Sequence, residues 1–297
     1  MKFGLIANVR KKLFWEKLPD ILSWFADQKM PLFIDETIAL AEKTVALPEI
    51  FPVIPRPEIG QKCDMILAIG GDGTILRTIQ LIGKKETPVL GINAGGLGFL
   101  TEIPLEKFAG ELREIARGHF RIEKRLMLKC NIAGVDKPMF ALNEVVIDKG
   151  NSVRVIKIDV TVDGHLLNSF IADGLLISTP TGSTGYSLSA GGPIIVPSTN
   201  VLIITPICPH SLTNRPVIVP ADAKIQTLTR TEAQHFVAAA DGQDMQHLPT
   251  RTKIEIEKAD FCANLVKPLG SSFFQLLHGK LNWGQDFRDK NRWSHNS

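Results

Sequence analysis

Apolar residues over the first 120 positions follow two patterns in alternation. Short continuous apolar runs, typical of strands in a parallel sheet covered on both faces, occur at 3–8, 65–69 and 89–92. Apolar residues at helical spacing occur at 13–29, 74–81 and 105–117. This alternation predicts an α/β N-terminal domain with an open parallel sheet over residues 1–120.

From Arg121 the apolar pattern changes to a period of two. Alternating segments occur at 126–132, 156–162 and 253–257, and Asp163-Gly164 is a hairpin turn signal. Few helical patterns interrupt them, so we predict an all-β, β-sandwich-like C-terminal domain over residues 121–266. We expect the tail, residues 267–297, to return to the first domain.

Composition excludes several classes of function. The net charge of +3 is too small to indicate nucleic acid or an anionic membrane surface as a partner. The four cysteines lie far apart, with no spacing typical of a zinc site or a disulfide framework. No apolar run approaches the roughly 20 residues of a membrane span. No signal-peptide pattern precedes the first strand, so we expect a cytoplasmic protein with reduced thiols.

The run Gly70-Gly71-Asp72-Gly73-Thr74 directly follows an apolar strand. Glycines allow a sharp turn and close approach of a ligand, and such turns bind phosphate through backbone N–H groups. A carboxylate would repel phosphate unless it holds Mg²⁺ or accepts a proton from an attacking hydroxyl. The combination indicates phosphoryl transfer onto an alcohol. The structural alternative is an aspartate that caps the following helix.

A second glycine turn, Asn93 to Gly98, follows the next strand. Both turns should open onto the same edge of the sheet, where ligands bind in open α/β folds. Arg77, one helical turn beyond Gly73, is placed to reach a phosphate, unless it is an ordinary surface arginine. Neither the P-loop pattern nor G-x-G-x-x-G occurs, which disfavours P-loop NTPases and ordinary Rossmann dehydrogenases.

Polar residues interrupt the apolar pattern of the second domain at two places. Asn143-Glu144 stands inside an apolar strand, and buried polar groups need partners, either a ligand or an internal network. By strand phase Arg154 shares the apolar face of Ile156 and Ile158, and an inward arginine needs an anion. A bulge before Ile156 would instead turn Arg154 outward.

Four stretches together resemble the bacterial-type NAD kinases, which are related to the diacylglycerol kinases. They are the Gly70–Thr74 turn, Asn93–Thr101, Asn143-Glu144, and the long Ser/Thr/Gly segment Asp173–Pro193. The resemblance implies transfer of the γ-phosphate of ATP, or of a phosphate of polyphosphate, to the adenosine ribose 2′-hydroxyl of NAD, with Mg²⁺. It also implies a homo-oligomer, a dimer or tetramer, and places the dinucleotide in the β-rich domain.

The resemblance also assigns roles to single residues. Asp72 matches the catalytic aspartate, Asn143-Glu144 contact adenine and ribose, and Arg154 contacts the ligand across a subunit boundary. The other substrate contacts implied are Gly73, Arg77, Asp173, Thr184, Gly185, Tyr186, Ser187, Leu188, Ser189 and Gln243. For Gln243 a plain turn is the alternative.

Two positions depart from the family pattern. Relatives commonly have alanine at Gly185, and glycine there would loosen the loop. Some relatives have a basic residue where this chain has Ile171, a substrate-contact position, which leaves the preference between NAD and NADH open. Two rival functions are a lipid kinase with the same glycine-aspartate turn and a dinucleotide sensor without turnover. The first leaves 173–193 unexplained, and the intact Asp72 argues against the second.

Overall fold

The computed structural model describes residues 1–41, 47–96, 98–101 and 103–281. Its first part alternates strands and helices, as the apolar pattern predicts. The elements in chain order are β1 (Phe3–Ala7), α1 (Lys12–Asp27), β2 (Leu32–Asp35), α2 (Glu36–Ala39), β3 (Val53–Ile54), α3 (Ile59–Lys62), β4 (Met65–Gly70), α4 (Asp72–Ile82), β5 (Val89–Asn93), β6 (Ile103–Pro104) and α5 (Phe108–Ala116). Short 3₁₀ turns cover 56–58, 83–85 and 105–107. Gly118, with a φ of 85°, ends the last helical segment.

The strands of this part pair in parallel in the order β3-β2-β1-β4-β5. Ala7 is opposite Ile69, and Gly70 is opposite Asn93. The carboxyl ends of β1, β4 and β5 therefore meet at one edge of the sheet. Continuous burial of β1, β4 and β5 explains why these strands have no polar alternation.

The second part is almost entirely antiparallel. Its elements are β7 (Phe120–Ile132), β8 (Met139–Ala141), β9 (Glu144–Asp148), β10 (Ile156–Val162), β11 (His165–Ala172), β12 (Gly174–Ser178), α6 (Tyr186–Ser189), β13 (Val201–Ile207), β14 (Val217–Pro220), β15 (Ile225–Arg230), β16 (His235–Ala240), β17 (Asp244–Pro249), β18 (Lys253–Pro268) and α7 (Phe273–Leu281). A further 3₁₀ turn covers 182–184. Asp163 and Gly164 both have positive φ, 49° and 81°, which confirms the hairpin turn between β10 and β11.

Two sheets enclose the core of the second part. One has the order β14-β13-β12-β9-β16-β17, and the other contains β11-β10-β15-β18 with β7 and β8. The long strand β18 also pairs in parallel with β5 through Leu265 and Val266, so one sheet continues through both parts. An α/β part followed by a β-sandwich-like part confirms the predicted fold class. The domain limits at 120 and 266 stay a prediction.

The C-terminal helix α7 returns toward the first part. Lys280 lies over the ring of Phe99, with Nζ 5.4 Å from the ring centroid. Residues 282–297 lie outside the described residues. None of the helices in the described ranges is long and apolar enough to cross a membrane.

Candidate active site

Asp72 is held by the loop that follows the second glycine turn. Its Oδ1 accepts hydrogen bonds from the backbone N–H groups of Leu100 and Thr101, at 3.1 and 3.2 Å, and from the Thr101 hydroxyl at 3.1 Å. Its Oδ2 accepts one, from the N–H of Phe99 at 2.8 Å. The helix-cap alternative is wrong, because Gly71 occupies the N-cap position of α4 and the Asp72 side chain binds a different loop.

Gly98 is required by this arrangement. A Cβ at Gly98 would lie 1.9 Å from Asp72 Oδ1 and 2.3 Å from Thr101 Oγ1. The two glycine turns therefore form one unit, in which the second turn positions the carboxylate of the first. Among the described residues of the second glycine turn, Gly95 and Gly96 are the exposed ones.

The glycines of the first turn divide into two kinds. A Cβ at Gly70 would lie 2.2 Å from Thr74 Oγ1 and 3.2 Å from Asn8, so the protein itself requires glycine there. A Cβ at Gly71 or Gly73 would meet no described atom within 4 Å. Open space thus adjoins Asp72 on both sides along the chain, where a ligand can approach the backbone closely.

Asp241, in the turn between β16 and β17, anchors the polar pair of the second part. Its carboxylate accepts hydrogen bonds from the N–H groups of Leu142 and Asn143, each 2.8 Å, and of Glu144 at 3.2 Å. Burial raises the pKa of Asp241, and the backbone N–H bonds limit that rise. The segment before β9 is therefore fixed by an acid that is itself only 7 % exposed.

Asn143 and Glu144 carry polar atoms without partners. Asn143 Oδ1 and Glu144 Oε2 are buried and form no hydrogen bond within the described part of the chain. Burial, and secondarily the charge of Asp241, raises the pKa of Glu144 to about 8, so this carboxyl is mainly protonated at neutral pH. A Cβ at Gly185 would lie 3.4 Å from Glu144 Oε2 and 3.5 Å from Asn143 Nδ2, so alanine there would narrow this recess.

Gln243 links the two parts of the site. Its side-chain amide donates a hydrogen bond to the backbone carbonyl of Gly73 at 3.2 Å. Gln243 follows Asp241 by two residues, and Asp241 holds Asn143 and Glu144. The glycine-aspartate turn and the polar pair therefore adjoin one another through a single short turn.

A large open cavity extends from Glu144 and the β16–β17 turn over the outer face of β9, β16 and β17. Its volume is about 1220 Å³, and Glu144, Tyr186, Arg154 and Gly242 are among its lining residues. The predicted inward orientation of Arg154 is wrong. Arg154 precedes β10, is largely exposed and forms an ion pair with Glu232 at the cavity rim, so it does not follow the strand phase of Ile156.

The other predicted contacts occupy several environments. Tyr186 and Ser189 are exposed, Thr184 and Leu188 are half-buried, and Ser187 is fully buried against Thr205, with 3.4 Å between their hydroxyl oxygens. These five residues lie in or beside α6, which adjoins the cavity at Tyr186.

Three further predicted contacts lie on other elements. Asp173 pairs with Lys149 at 2.7 Å. Ile171 lies exposed on β11, and Arg77 is exposed on α4, without an ion pair in the described part of the chain. Contacts and the shared cavity connect Asp72, Gly73, Gln243, Asn143, Glu144, Gly185 and Tyr186. The roles of Arg77 and Ile171 stay predictions.

Family models and curated relatives both identify the family to which this chain belongs. The family model described as the ATP-NAD kinase N-terminal domain matches residues 51–120, and that of the ATP-NAD kinase C-terminal domain matches 142–268. The chain belongs to the NAD kinase family. Similar curated proteins include the NAD kinase of Solibacter usitatus, 37 % identical over 95 % of this chain and 97 % of the relative. Another is the NAD kinase of Geotalea daltonii, 42 % identical over 77 % of this chain and 82 % of the relative.

Solved structures of NAD kinases share the whole fold. A yeast NADH kinase complexed with NADH superposes with a TM-score of 0.87 at 25 % identity, covering 97 % of this chain and 89 % of that one. An NAD kinase from Archaeoglobus fulgidus in complex with ATP superposes with a TM-score of 0.76 at 26 % identity, covering 95 % of this chain and 99 % of that one.

Sequence reasoning missed two positioning elements of this NAD kinase site. The N–H groups of 99–101 around Asp72 carry no side-chain signal, although Gly98 marks the close approach that they require. The resemblance draws attention to Asp241 only through the neighbouring contact Gln243, whereas the carboxylate of Asp241 holds 142–144 in place. Asp241 has a positive φ of 50°, which aspartate tolerates better than most residues, so the same side chain suits the turn and the anchoring role.

Proposed function

We propose that the chain transfers the γ-phosphate of ATP to the 2′-hydroxyl of the adenosine ribose of NAD, forming NADP. One observation carries this proposal. The carboxylate of Asp72 stands at a turn open to ligand, and Gln243 ties that turn to the segment containing the unpartnered polar atoms of Asn143 and Glu144. A phosphoryl donor and a phosphoryl acceptor that hydrogen-bonds to Asn143 and Glu144 can therefore meet at Asp72.

Asp72 acts as the general base. Within the described part of the chain its Oδ1 accepts from three donors, while its Oδ2 accepts one hydrogen bond, from the N–H of Phe99, and has a lone pair left. As the ribose oxygen attacks the γ-phosphorus, its proton passes to Oδ2 and ADP departs with the bond electrons. The N–H groups of 99–101 keep the carboxylate in a fixed orientation, which is the positioning that phosphoryl transfer requires.

Asn143 and Glu144 bind the ribose or adenine of the dinucleotide. A protonated Glu144 is both a donor and an acceptor, and the unpartnered Asn143 Oδ1 is an acceptor, so the recess matches vicinal hydroxyls or an amino group. Tyr186 offers an aromatic face at the cavity, and Arg154 a cation at its rim. Asp173, Thr184, Ser187, Leu188 and Ser189 complete the proposed binding surface.

Mg²⁺ would reach this site bound to the phosphates of ATP. Among the described residues no cluster of three or more His, Cys, Asp and Glu side chains is built to cage a metal ion. Mg²⁺ needs no such cage, because it keeps several waters and is usually bound through one or two carboxylates and the substrate phosphates. The phosphates of ATP would supply the main ligands of the ion, and the bound ion would neutralise charge on them.

The active form is a homo-oligomer, a dimer or tetramer, in the cytoplasm. Val153 and Met245, which line the cavity, are 93 % and 52 % exposed, and a second copy that covered this face would bury them. The four cysteines are free thiols, as a reducing compartment would keep them. Light scattering of the purified chain, with and without NAD, measures this state directly.

A panel of acceptors and donors tests the activity. The purified chain is incubated with Mg²⁺ and either ATP or polyphosphate, and with NAD, NADH or diacylglycerol. We expect NADP from NAD and ATP, with the new phosphate on the 2′-oxygen by ³¹P NMR. Phosphorylated diacylglycerol would support the lipid kinase instead, and NAD binding without product from either donor would support a sensor.

A further inference from the structure

Three loops meet at the carboxyl edge of the parallel sheet beside Asp72. Beyond β1, the N–H of Asn8 donates to the carbonyl of Ile69 at 2.8 Å, and beyond β5, the N–H of Ala94 donates to the carbonyl of Gly70 at 2.9 Å. The loop after β1 is therefore part of the same surface as both glycine turns. Neither the motifs nor the proposed reaction gives this loop a role.

The side chain of Asn93 has one oxygen without a partner at this surface. Its Nδ2 donates to the Gly96 carbonyl at 2.7 Å and to Thr101 Oγ1 at 3.1 Å, which fixes the orientation of the amide. Its Oδ1 is buried and unpartnered within the described part of the chain, and Asn93 is only 3 % exposed. Buried acceptors normally have a hydrogen-bond partner. The partner of this oxygen is therefore either a bound ligand or a nearby cationic side chain.

Lys11 lies over the same spot. A Cβ at Gly95 would be 3.5 Å from Lys11 Nζ and 3.9 Å from Asn93 Oδ1, so the ammonium group and the orphan oxygen converge above Gly95. Lys11 is exposed and forms no ion pair within the described ranges. The next residue, Lys12, pairs instead with Glu16 at 3.1 Å, away from the turn.

The N-terminus of α1 adds a second favourable feature. Lys11 is its N-cap residue, with no side-chain cap bond, and the first turn of α1 contains no acidic residue. The first turn of this 16-residue helix thus has neither a capping side chain nor a carboxylate, and the helix dipole favours negative charge there.

We propose that Lys11, with Gly95-Gly96 and the N-terminus of α1, binds the phosphate chain of the phosphoryl donor. The inference rests on the proposed function, which supplies a phosphoryl donor at Asp72. With the donor bound, Asn93 Oδ1 would accept one N–H of the Lys11 ammonium, and the other two would face the phosphate oxygens. The site recognises a linear chain of phosphates, whether from a nucleoside triphosphate or from inorganic polyphosphate, and contributes nothing to binding NAD.

The substitution Lys11→Ala tests the site, with Lys12→Ala as the matched control. We expect Lys11→Ala to raise KM for ATP about ten- to hundredfold, because a charge-assisted hydrogen bond is lost, and to leave KM for NAD within twofold. Lys11→Arg should restore much of the affinity. Inorganic tripolyphosphate, used as a competitor of ATP, should lose inhibitory strength in parallel with ATP.

A second variant, Gly95→Ala, fills the space instead of removing the charge. Its Cβ meets Lys11 and Asn93 only at ordinary contact distance, so the variant should fold and show the same selective rise in KM for ATP. Three results for Lys11→Ala would overturn the proposal. They are an unchanged KM for ATP, an equal rise in the KM for NAD, and a weaker affinity for ATP with no loss of inhibition by tripolyphosphate.

Direct binding separates this inference from the proposed reaction. The affinity of wild type and Lys11→Ala for a non-hydrolysable ATP analogue with Mg²⁺ is measured by calorimetry. If the wild type forms no NADP, the proposed function fails, yet weaker analogue binding by Lys11→Ala still supports the phosphate site. Equal analogue binding by the two proteins contradicts the site whether or not NADP forms.

Discussion

The side-chain amide of Gln243 donates to the backbone carbonyl of Gly73, 3.2 Å away, and so joins the β16–β17 turn to the glycine-aspartate turn. The same β16–β17 turn contains Asp241, which fixes Asn143 and Glu144. A single turn therefore sets the position of the proposed acceptor site relative to the proposed base.

Removing this contact should lower activity without unfolding the protein. A neutral hydrogen bond contributes about 1 kcal/mol, so we expect Gln243→Ala to reduce kcat/KM for NAD about five- to tenfold. Steady-state kinetics measure this. Gln226→Ala, which removes a surface amide paired with Glu255, is the control and should leave kcat/KM unchanged.

Gly98→Ala should disturb the carboxylate of Asp72. The new Cβ would lie 1.9 Å from Asp72 Oδ1, so either the side chain or the loop must move. Overpacking of this kind typically costs about 1–3 kcal/mol, and we expect turnover to fall by more than tenfold. Gly110→Ala, where a Cβ meets no described atom within 4 Å, serves as control. Normal turnover in Gly98→Ala would show that the Asp72 contacts do not matter for catalysis.

Glu144 should make stability depend on pH. Its pKa is about 8 in the folded protein against 4.5 for an unperturbed carboxyl, so the folded state retains a proton that the unfolded state releases between these values. The free energy of unfolding of the wild type therefore falls as pH rises from about 4.5 to about 8. Glu144→Gln lacks this slope.

Chemical denaturation at several pH values checks the Glu144 prediction. The free energy of unfolding of Glu144→Gln, relative to that of the wild type, should increase from pH 5 to pH 8 by an amount on the order of a few kcal/mol. The difference between the two proteins should stay constant above that range. Glu106→Gln, at an exposed glutamate, should follow the wild type. A pH-independent difference between Glu144→Gln and wild type would mean that Glu144 is ionised in the fold.

Arg154 should matter for binding and not for stability. It is 70 % exposed and paired with an equally exposed Glu232, and surface ion pairs of this kind contribute about 0–1 kcal/mol. We expect Arg154→Ala to change the free energy of unfolding by less than about 0.5 kcal/mol and to raise KM for NAD severalfold. An unchanged KM would remove Arg154 from the proposed binding surface.

The fold was predictable because its parts have different apolar periods. Continuous apolar runs at β1, β4 and β5 indicate buried parallel strands, and the period of two in β10 indicates a half-buried antiparallel strand. The pairing of β18 with both β7 and β5 was not predictable, because it joins residues far apart in sequence and leaves no local pattern.

The candidate site was predictable where chemistry resides in side chains. Asp72 and the polar pair Asn143-Glu144 contradict their apolar surroundings and so attract notice. Backbone donors such as the N–H of Phe99 have no residue signature. The orientation of Arg154 was mispredicted because strand phase was extended to a residue that precedes the strand.

The comparison of Asp72→Asn with wild type tests the account most directly. NADP formation from NAD, Mg²⁺ and ATP is measured beside the affinity of each protein for NAD. Asparagine retains an acceptor for the loop 99–101 but cannot take the ribose proton. The account predicts a loss of turnover of about 10²- to 10⁴-fold with NAD affinity little changed. Near-normal NADP formation by Asp72→Asn would contradict the role of Asp72 as the general base.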